Sequence, residues 1–286
     1  MELILFAVIG LIIGTFSGLF GIGGGVILAP LLLILGTPPT VAIGTSLMLS
    51  LATSMFGTIA HLRLKNIRWK EAIMISIAGV FAVQFTQPFV LFLESQRLDE
   101  IVIPLIFIFL LLIFASFLWI KRPEKETQSE KRKPIFPKYI YFIGIGLIAG
   151  TFSVMLGVSG GFIIVPLLIG ILRFPVRIAV GTSLASVILI VLVGFVKYSL
   201  TTPIEYIVGL VLIAGTFFGS PLGAKLTELL KNDEMKKLLS FLYISLAFSM
   251  VLRIFFAPEF AILLLFIYFL LFVAFLLYKW KAPLTQ

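Results

Sequence analysis

Two apolar segments, each too long for a single membrane span and broken by glycines at the same point, constrain this chain more than any other feature. GTFSGLFGIGGGVILAPLLLI, residues 14–34, returns as GTFSVMLGVSGGFIIVPLLIG, residues 150–170, with eleven of twenty-one positions identical at an offset of 136. The echo continues one residue out of step: Ala42 and Gly44-Thr45-Ser46-Leu47 reappear as Ala179 and Gly181-Thr182-Ser183-Leu184. A weaker echo sets Ile77-Ala78-Gly79 and Pro88 against Ile213-Ala214-Gly215 and Pro221. Unwound backbone at membrane depth is tolerable only where protein or a wet cavity satisfies it, so matched glycine breaks in two halves point to a substrate site of a secondary transporter.

The composition sets the solvent. Apolar residues make up 60% of the chain and charged residues 12%, with a mean hydropathy of +1.20. This excludes a soluble globular domain and predicts an all-α polytopic membrane protein. Apolar segments run at 3–36, 41–62, 71–93, 101–120, 139–172, 178–197, 204–224, 238–256 and 259–278. The first has neither a basic leader nor a small-residue cleavage site and is expected to persist in the mature protein. With no cysteine, the chain has no disulfide, no thiol chemistry and no thiolate metal site. The four expected regions are repeat one at 1–120, a hydrophilic cytoplasmic linker at 121–138, repeat two at 139–256, and an extra C-terminal helix with its tail at 257–286.

Positive charge decides how the broken segments run. If each is a helical hairpin returning to its starting side, 19 of the 22 basic residues fall on the cytoplasmic side and only Arg97, Lys197 and Arg253 outside. If each crosses once, the division is 13 to 9, and the excess of inside charge found in membrane proteins favours the hairpin. That distribution explains the net charge of +9 without nucleic acid. Hairpins make the two repeats inverted, with three further spans in each, and leave the C-terminus cytoplasmic. The second arm of each hairpin, about 13 residues or roughly 20 Å, is expected to stop short of a full crossing, so that two glycine tips meet from opposite faces.

The tips, Gly21, Gly23, Gly24 and Gly25 in one half and Gly157, Ser159, Gly160 and Gly161 in the other, let backbone N–H groups approach a ligand. The helix arm that follows each adds a partial positive charge, so the natural guest is a small anion. Close helix packing by small residues is the bland alternative, and the duplication weighs against it. Thr45-Ser46 and Thr182-Ser183 are hydroxyl pairs at matching places that can ligate an oxyanion or bond their own helices. Ser50, Thr53, Ser54, Thr58 and His61 form one polar stripe that should face protein or water. Gln84, Thr86 and Gln87 beside Pro88, with Ser220 and Pro221, are a weaker polar candidate. His61, the only histidine, is either an interfacial residue or a proton-coupling one. No Asp or Glu lies deep in a span, which leaves a divalent metal ion little to bind.

The glycine motif Gly18, Gly21, Gly23, Gly24, Gly25 and Pro30 is followed by Gly44-Thr45-Ser46, then Ala60-His61, Arg63 and Trp69-Lys70. Its second copy is Gly157, Gly160, Gly161, Pro166 and Gly181-Thr182-Ser183. Together these resemble the sulfite exporter TauE/SafE family of membrane permeases over residues 3–256. The resemblance implies a cytoplasmic-membrane carrier for sulfur-containing anions such as sulfite or an organosulfonate. Two departures stand out: Ser159 replaces a glycine, and the region matching His61 to Lys70 begins Lys197-Tyr198-Ser199-Leu200, without the His or Trp.

The expected activity is therefore alternating-access transport of a small oxyanion, with no cofactor and no metal. Carriage of small carboxylates is the first alternative. The second is an intramembrane serine protease, with Gly157-Val158-Ser159-Gly160 as the nucleophile string and His61 as base; the alignment of Ser159 with Gly23 argues against it. The partners are the anion and the lipid bilayer. A homodimer is compatible with the sequence, in which faces toward lipid and toward a second protomer look alike.

Overall fold

The computed structural model describes residues 2–119, 137–255 and 258–281. The linker expected at 121–138 lies outside these residues except for its last two. Among the described residues every regular element is a helix: α1 (Glu2–Phe20), α2 (Gly25–Ile34), α3 (Pro39–Arg63), α4 (Trp69–Ser95), α5 (Asp99–Trp119), α6 (Lys138–Leu156), α7 (Gly161–Gly170), α8 (Val176–Ser199), α9 (Tyr206–Leu229), α10 (Asn232–Phe255) and α11 (Pro258–Lys281). Eight are long and apolar enough to cross a membrane, while α1, α2 and α7 are shorter apolar helices. The polarity is inside out. Ile73, Ile77, Phe81, Phe85 and Phe89 form an exposed stripe on α4, whereas Ser50, Thr53, Ser54, Thr58 and His61 on α3 are all buried. Hydrocarbon suits the first set, and protein partners suit the second.

Both broken segments fold back. Gly21 and Gly157 take φ of +70°, the left-handed conformation that ends a helix, and the chain reverses over the next few residues. Ile13 of α1 lies at the level of Leu49 and Thr53, and Gly18 at that of His61, so α1 runs parallel to α3. The start of α2 bonds Ser50 and Thr53 while its end leads into the start of α3, so α2 runs the opposite way. The second arms are ten residues each, about 15 Å, shorter than expected. In the first half a turn ends the arm early: Gly36 adopts φ of +85°, and its N–H and that of Thr37 bond back to the carbonyls of Leu33 and Leu32.

The contacts of one half repeat in the other. Helix α1 packs along α9 as α6 packs along α4, and α3 meets α8 as α5 meets α10. The first pair is a seam of small residues, with Gly10, Gly14 and Gly18 against Leu212, Thr216 and Ser220, and Gly215, Gly219 and Gly223 set into α1. Small residues at four-residue spacing let the two backbones touch, which is how helices associate where no hydrophobic effect draws them together.

Helix-internal prolines free carbonyls, and side chains from other helices take two of them. Pro166 leaves the Phe162 carbonyl without its helical donor, and the hydroxyl of Tyr243 on α10 donates to it at 3.0 Å. Pro88 frees the Gln84 carbonyl, and the Lys197 ammonium donates to it at 3.3 Å. Tyr243→Phe is therefore expected to cost about 1–3 kcal/mol, because a buried acceptor is left unmade, and to lower the melting temperature of the purified protein without changing its apolar contacts. Helix α11 flanks the bundle. Tyr268 donates to the Leu238 carbonyl at 3.0 Å, the Phe272 ring lies tilted against Phe16 with centroids 4.4 Å apart, and Lys279 pairs with Glu234 at 2.6 Å.

Candidate functional site

The two glycine turns meet at the centre of the bundle. Ser159 donates its hydroxyl proton to the Ile22 carbonyl, and its side chain fills the place where a side chain on Gly23 would begin. A Cβ on Gly25 would strike the Gly157 carbonyl, and one on Gly161 the Gly21 carbonyl. The bases of the two turns rest on the opposite repeat, where a Cβ on Gly21 would lie 2.8 Å from Cα of Val180 and one on Gly157 would lie 2.6 Å from Cα of Ile43. Contact therefore requires all of these glycines, and the positive φ of Gly21, Gly23 and Gly157 requires those three by conformation as well.

The hydroxyl pairs tie this centre to the next helices. Thr45 Oγ1 accepts the Glu205 N–H at 3.2 Å, and Thr182 Oγ1 accepts the Arg68 N–H at 3.1 Å. These matching bridges satisfy the first amides of α9 and α4, which have no helical partner, and leave both hydroxyl protons free to donate. They also place the start of α3 beside the end of α8 and the start of α8 beside the end of α3, so those two helices run antiparallel. Ser183 donates to the Gly21 carbonyl at 3.1 Å. Its counterpart Ser46 is fully buried with no partner for its hydroxyl.

His61 is fixed by two contacts. Nε2 lies 2.9 Å from the Gly18 carbonyl and Nδ1 lies 3.2 Å from the Asn66 side-chain nitrogen. A neutral ring with its proton on Nε2 satisfies both. Tyr198, at the matching place in the second half, donates its hydroxyl to the Val154 carbonyl at 3.2 Å. Gly18 and Val154 are themselves equivalent, so His61 and Tyr198 do one job: each supplies a donor to an orphan carbonyl in the last turn of the helix before the break. The histidine is buried within protein, in the last turn of α3. Ser159 and His61 hold different carbonyls and not each other, so no nucleophile and base are assembled.

The polar stripe of α3 contributes what the glycine motif alone did not reveal. The Gly24 N–H donates to Thr53 Oγ1 and the Gly25 N–H to Ser50 Oγ, both at 2.8 Å, capping the start of α2. The signal was present in the comparison of halves, where Ser50, Thr53, Ser54 and Thr58 are matched by Val187, Ile190, Val191 and Phe195. Among the described residues five further buried hydroxyls have no partner, those of Ser17 on α1, Ser54 and Thr58 on α3, Ser220 on α9 and Ser249 on α10. Ser220 comes from the weaker polar candidate. Of its companions, Gln87 donates to Thr201 at 3.3 Å and Thr86 to the Ala82 carbonyl, away from the turns.

The family of sulfite exporters TauE/SafE matches residues 6–250 of this sequence. The chain belongs to that family. The TauE/SafE chain is 28% identical over 251 residues to a probable membrane transporter protein of Methanocaldococcus jannaschii, covering 82% of this chain and 90% of the relative. It is equally similar to the probable membrane transporter protein YunE of Bacillus subtilis, 28% over 251 residues and 92% of that protein. A probable membrane transporter protein of Haemophilus influenzae aligns at 27% over 271 residues, 98% of its length. No solved structure matches. A TauE/SafE protein with this fold is a multi-pass membrane transporter and not an enzyme.

Proposed function

We propose that the protein carries a small sulfur-containing oxyanion, sulfite or an organosulfonate, across the cytoplasmic membrane by alternating access, with the anion held where the two glycine turns meet. The observation that carries this reading is the set of unspent donors there. The amides of Ile22 and Gly23 in the first turn, and of Ser159 and Gly160 in the second, have no acceptor among the described residues, and the Ser46 hydroxyl is unpartnered. Orphan donors in a dry interior cost free energy that an anion would recover. Thr45 and Thr182 keep protons to donate at the margin of the same centre.

The halves on this reading are inverted repeats, each a hairpin plus three spans, with the linker and C-terminus cytoplasmic. Antiparallel α3 and α8 support it, because single crossings by the broken segments would leave those helices pointing the same way. One half moving against the other about the central turns then exposes the anion to each side in turn.

Flux into proteoliposomes tests the function, with sulfite, sulfoacetate, sulfate and lactate compared with and without a pH gradient. Saturable flux of the sulfur anions, competed by one another, is the expected result; preference for lactate would move the substrate to the carboxylates. His61→Gln separates its two roles, since Gln keeps an N–H donor and cannot titrate. Retained flux with an unchanged gradient response is expected from the fixed neutral geometry. Loss of the gradient response alone would make His61 the proton carrier.

A further inference from the structure

The short second arm of the first hairpin leaves a space that no other element fills. The chain turns at Gly36, and nothing lies within 4 Å of a Cβ added there. A cavity of about 470 Å³ opens beside that turn, between the α2–α3 connection, the first turns of α5 and the last turn of α10. That is the size of a small-molecule site, for which roughly 300–1,000 Å³ is usual. Because the spans α3 and α5 begin here and α10 ends here, the cavity lies where helices leave the hydrocarbon. Its inner wall is apolar, with Leu33, Pro104 and Met250 all buried.

Two opposite charges border this cavity and are not spent on each other. The Glu100 carboxylate is in electrostatic reach of the Arg253 guanidinium, yet the two form no ion pair, and neither has a hydrogen-bond partner among the described residues. Other charges at this end do not substitute: Glu94 is occupied by the Thr40 hydroxyl at 2.8 Å, and Arg97 makes no ion pair with Glu100 among the described residues. The start of α10 differs, since Glu234 there is closed on Lys279 at 2.6 Å. From the cavity, Ile101 and Leu105 continue with Phe109 and Leu112 as an exposed apolar stripe along α5, the kind of face that lipid covers. We propose that the cavity seats the headgroup of a zwitterionic aminophospholipid, with its phosphate on Arg253, its primary ammonium on Glu100 and its acyl chains along the α5 stripe. A guanidinium presents paired donors to phosphate oxygens, and a carboxylate accepts from an ammonium. A choline headgroup has no N–H to donate, and a glycerol headgroup carries no cation to answer Glu100.

Purified full-length protein, stripped of lipid in detergent, is titrated with phosphatidylethanolamine, phosphatidylcholine or phosphatidylglycerol of the same acyl chains, and bound lipid is counted by native mass spectrometry. The ethanolamine lipid is expected to bind about tenfold or more tightly than the other two, as for a hydrogen bond between charged groups that it alone completes. Glu100→Gln changes an exposed side chain and is expected to abolish the preference for the ethanolamine over the glycerol lipid. Arg253→Gln is expected to weaken both by about tenfold or more, because both present a phosphate. Glu234→Gln, which opens a charge pair away from the cavity, is expected to keep the preference, and melting shows that each variant is folded. Equal binding of the three lipids by the parent, or tighter binding of the glycerol lipid, overturns the headgroup assignment. So does a preference that survives Glu100→Gln or is lost in Glu234→Gln, and these outcomes stand whether or not Arg253→Gln folds.

Discussion

Gly21→Ala and Gly157→Ala are expected to abolish folded, transport-competent protein, whereas alanine at Gly144 leaves it intact. Two costs combine at the first two positions. At φ of +70° an L side chain is disfavoured by about 1–2 kcal/mol. The new Cβ would also sit 2.8 Å from Val180 Cα or 2.6 Å from Ile43 Cα, backbone atoms inside α8 and α3 that have no flexible end to swing aside. Forced overpacking adds about 1–3 kcal/mol, and the sum is a large part of the roughly 5–15 kcal/mol that holds a domain together. Two controls separate the costs. Gly36 shares the positive φ, at +85°, but nothing lies within 4 Å of an added Cβ, so only the conformational cost remains. Gly144 is helical with open space around it, and alanine there is neutral or stabilising by about 0.5–1 kcal/mol. Melting of the four variants in detergent should therefore rank Gly144→Ala at or above the parent, Gly36→Ala slightly below it, and the two turn variants far below or unrecoverable. A Gly21→Ala protein that melts with the parent would mean that the turn relaxes freely, and the meeting of the two turns would then lose its structural basis.

Much of this arrangement was legible in the sequence because it depends on periodicity and duplication. Spans read from hydropathy fall within two or three residues of most helix ends. Helix α10 is an exception, beginning six residues before its apolar segment because Asp233 and Glu234 suit a helix N-terminus whatever their polarity. The glycine breaks were readable as hairpins because charge placement opposes single crossings. Which donors are spent was not readable. That Thr53 and Ser50 cap Gly24 and Gly25, or that Tyr198 replaces His61 as donor to a last-turn carbonyl, depends on the approach of α3 to α1 and α2 and of α8 to α6. Spacing within one helix carries no trace of it. The same limit applied to Thr45 and Thr182, whose position at a helix start suggested substrate ligands; their acceptor lone pairs serve α9 and α4, and only their protons remain for an anion. Even so, aligning the halves through α8 at the offset of 137 would have set Tyr198 beside His61 and Val187 beside Ser50 before any fold was known.

Cysteines placed at Arg63 and Leu200 are expected to label from opposite sides of the membrane. The two positions are equivalent at the offset of 137, both are exposed, and each closes a helix, α3 in one case and α8 in the other. With no native cysteine, each single variant carries one thiol and gives an unambiguous signal. If the broken segments are hairpins, each half crosses an odd number of times and the second begins on the side opposite to the first. Arg63→Cys then faces the cytoplasm and Leu200→Cys the exterior. A membrane-impermeant maleimide applied to intact cells should modify Leu200→Cys and spare Arg63→Cys, and inside-out vesicles should reverse the result. The contrast is all or none, because a charged reagent does not cross the hydrocarbon core. If each broken segment instead crossed once, the halves would be parallel, both thiols would lie on one face, and the antiparallel run of α3 against α8 could not form. Labelling of both cysteines from the same side would thus sink the inverted arrangement and the central meeting of the turns together. The opposite outcome would leave a single pair of turns, approached from the two faces of the membrane, as the place where access must alternate.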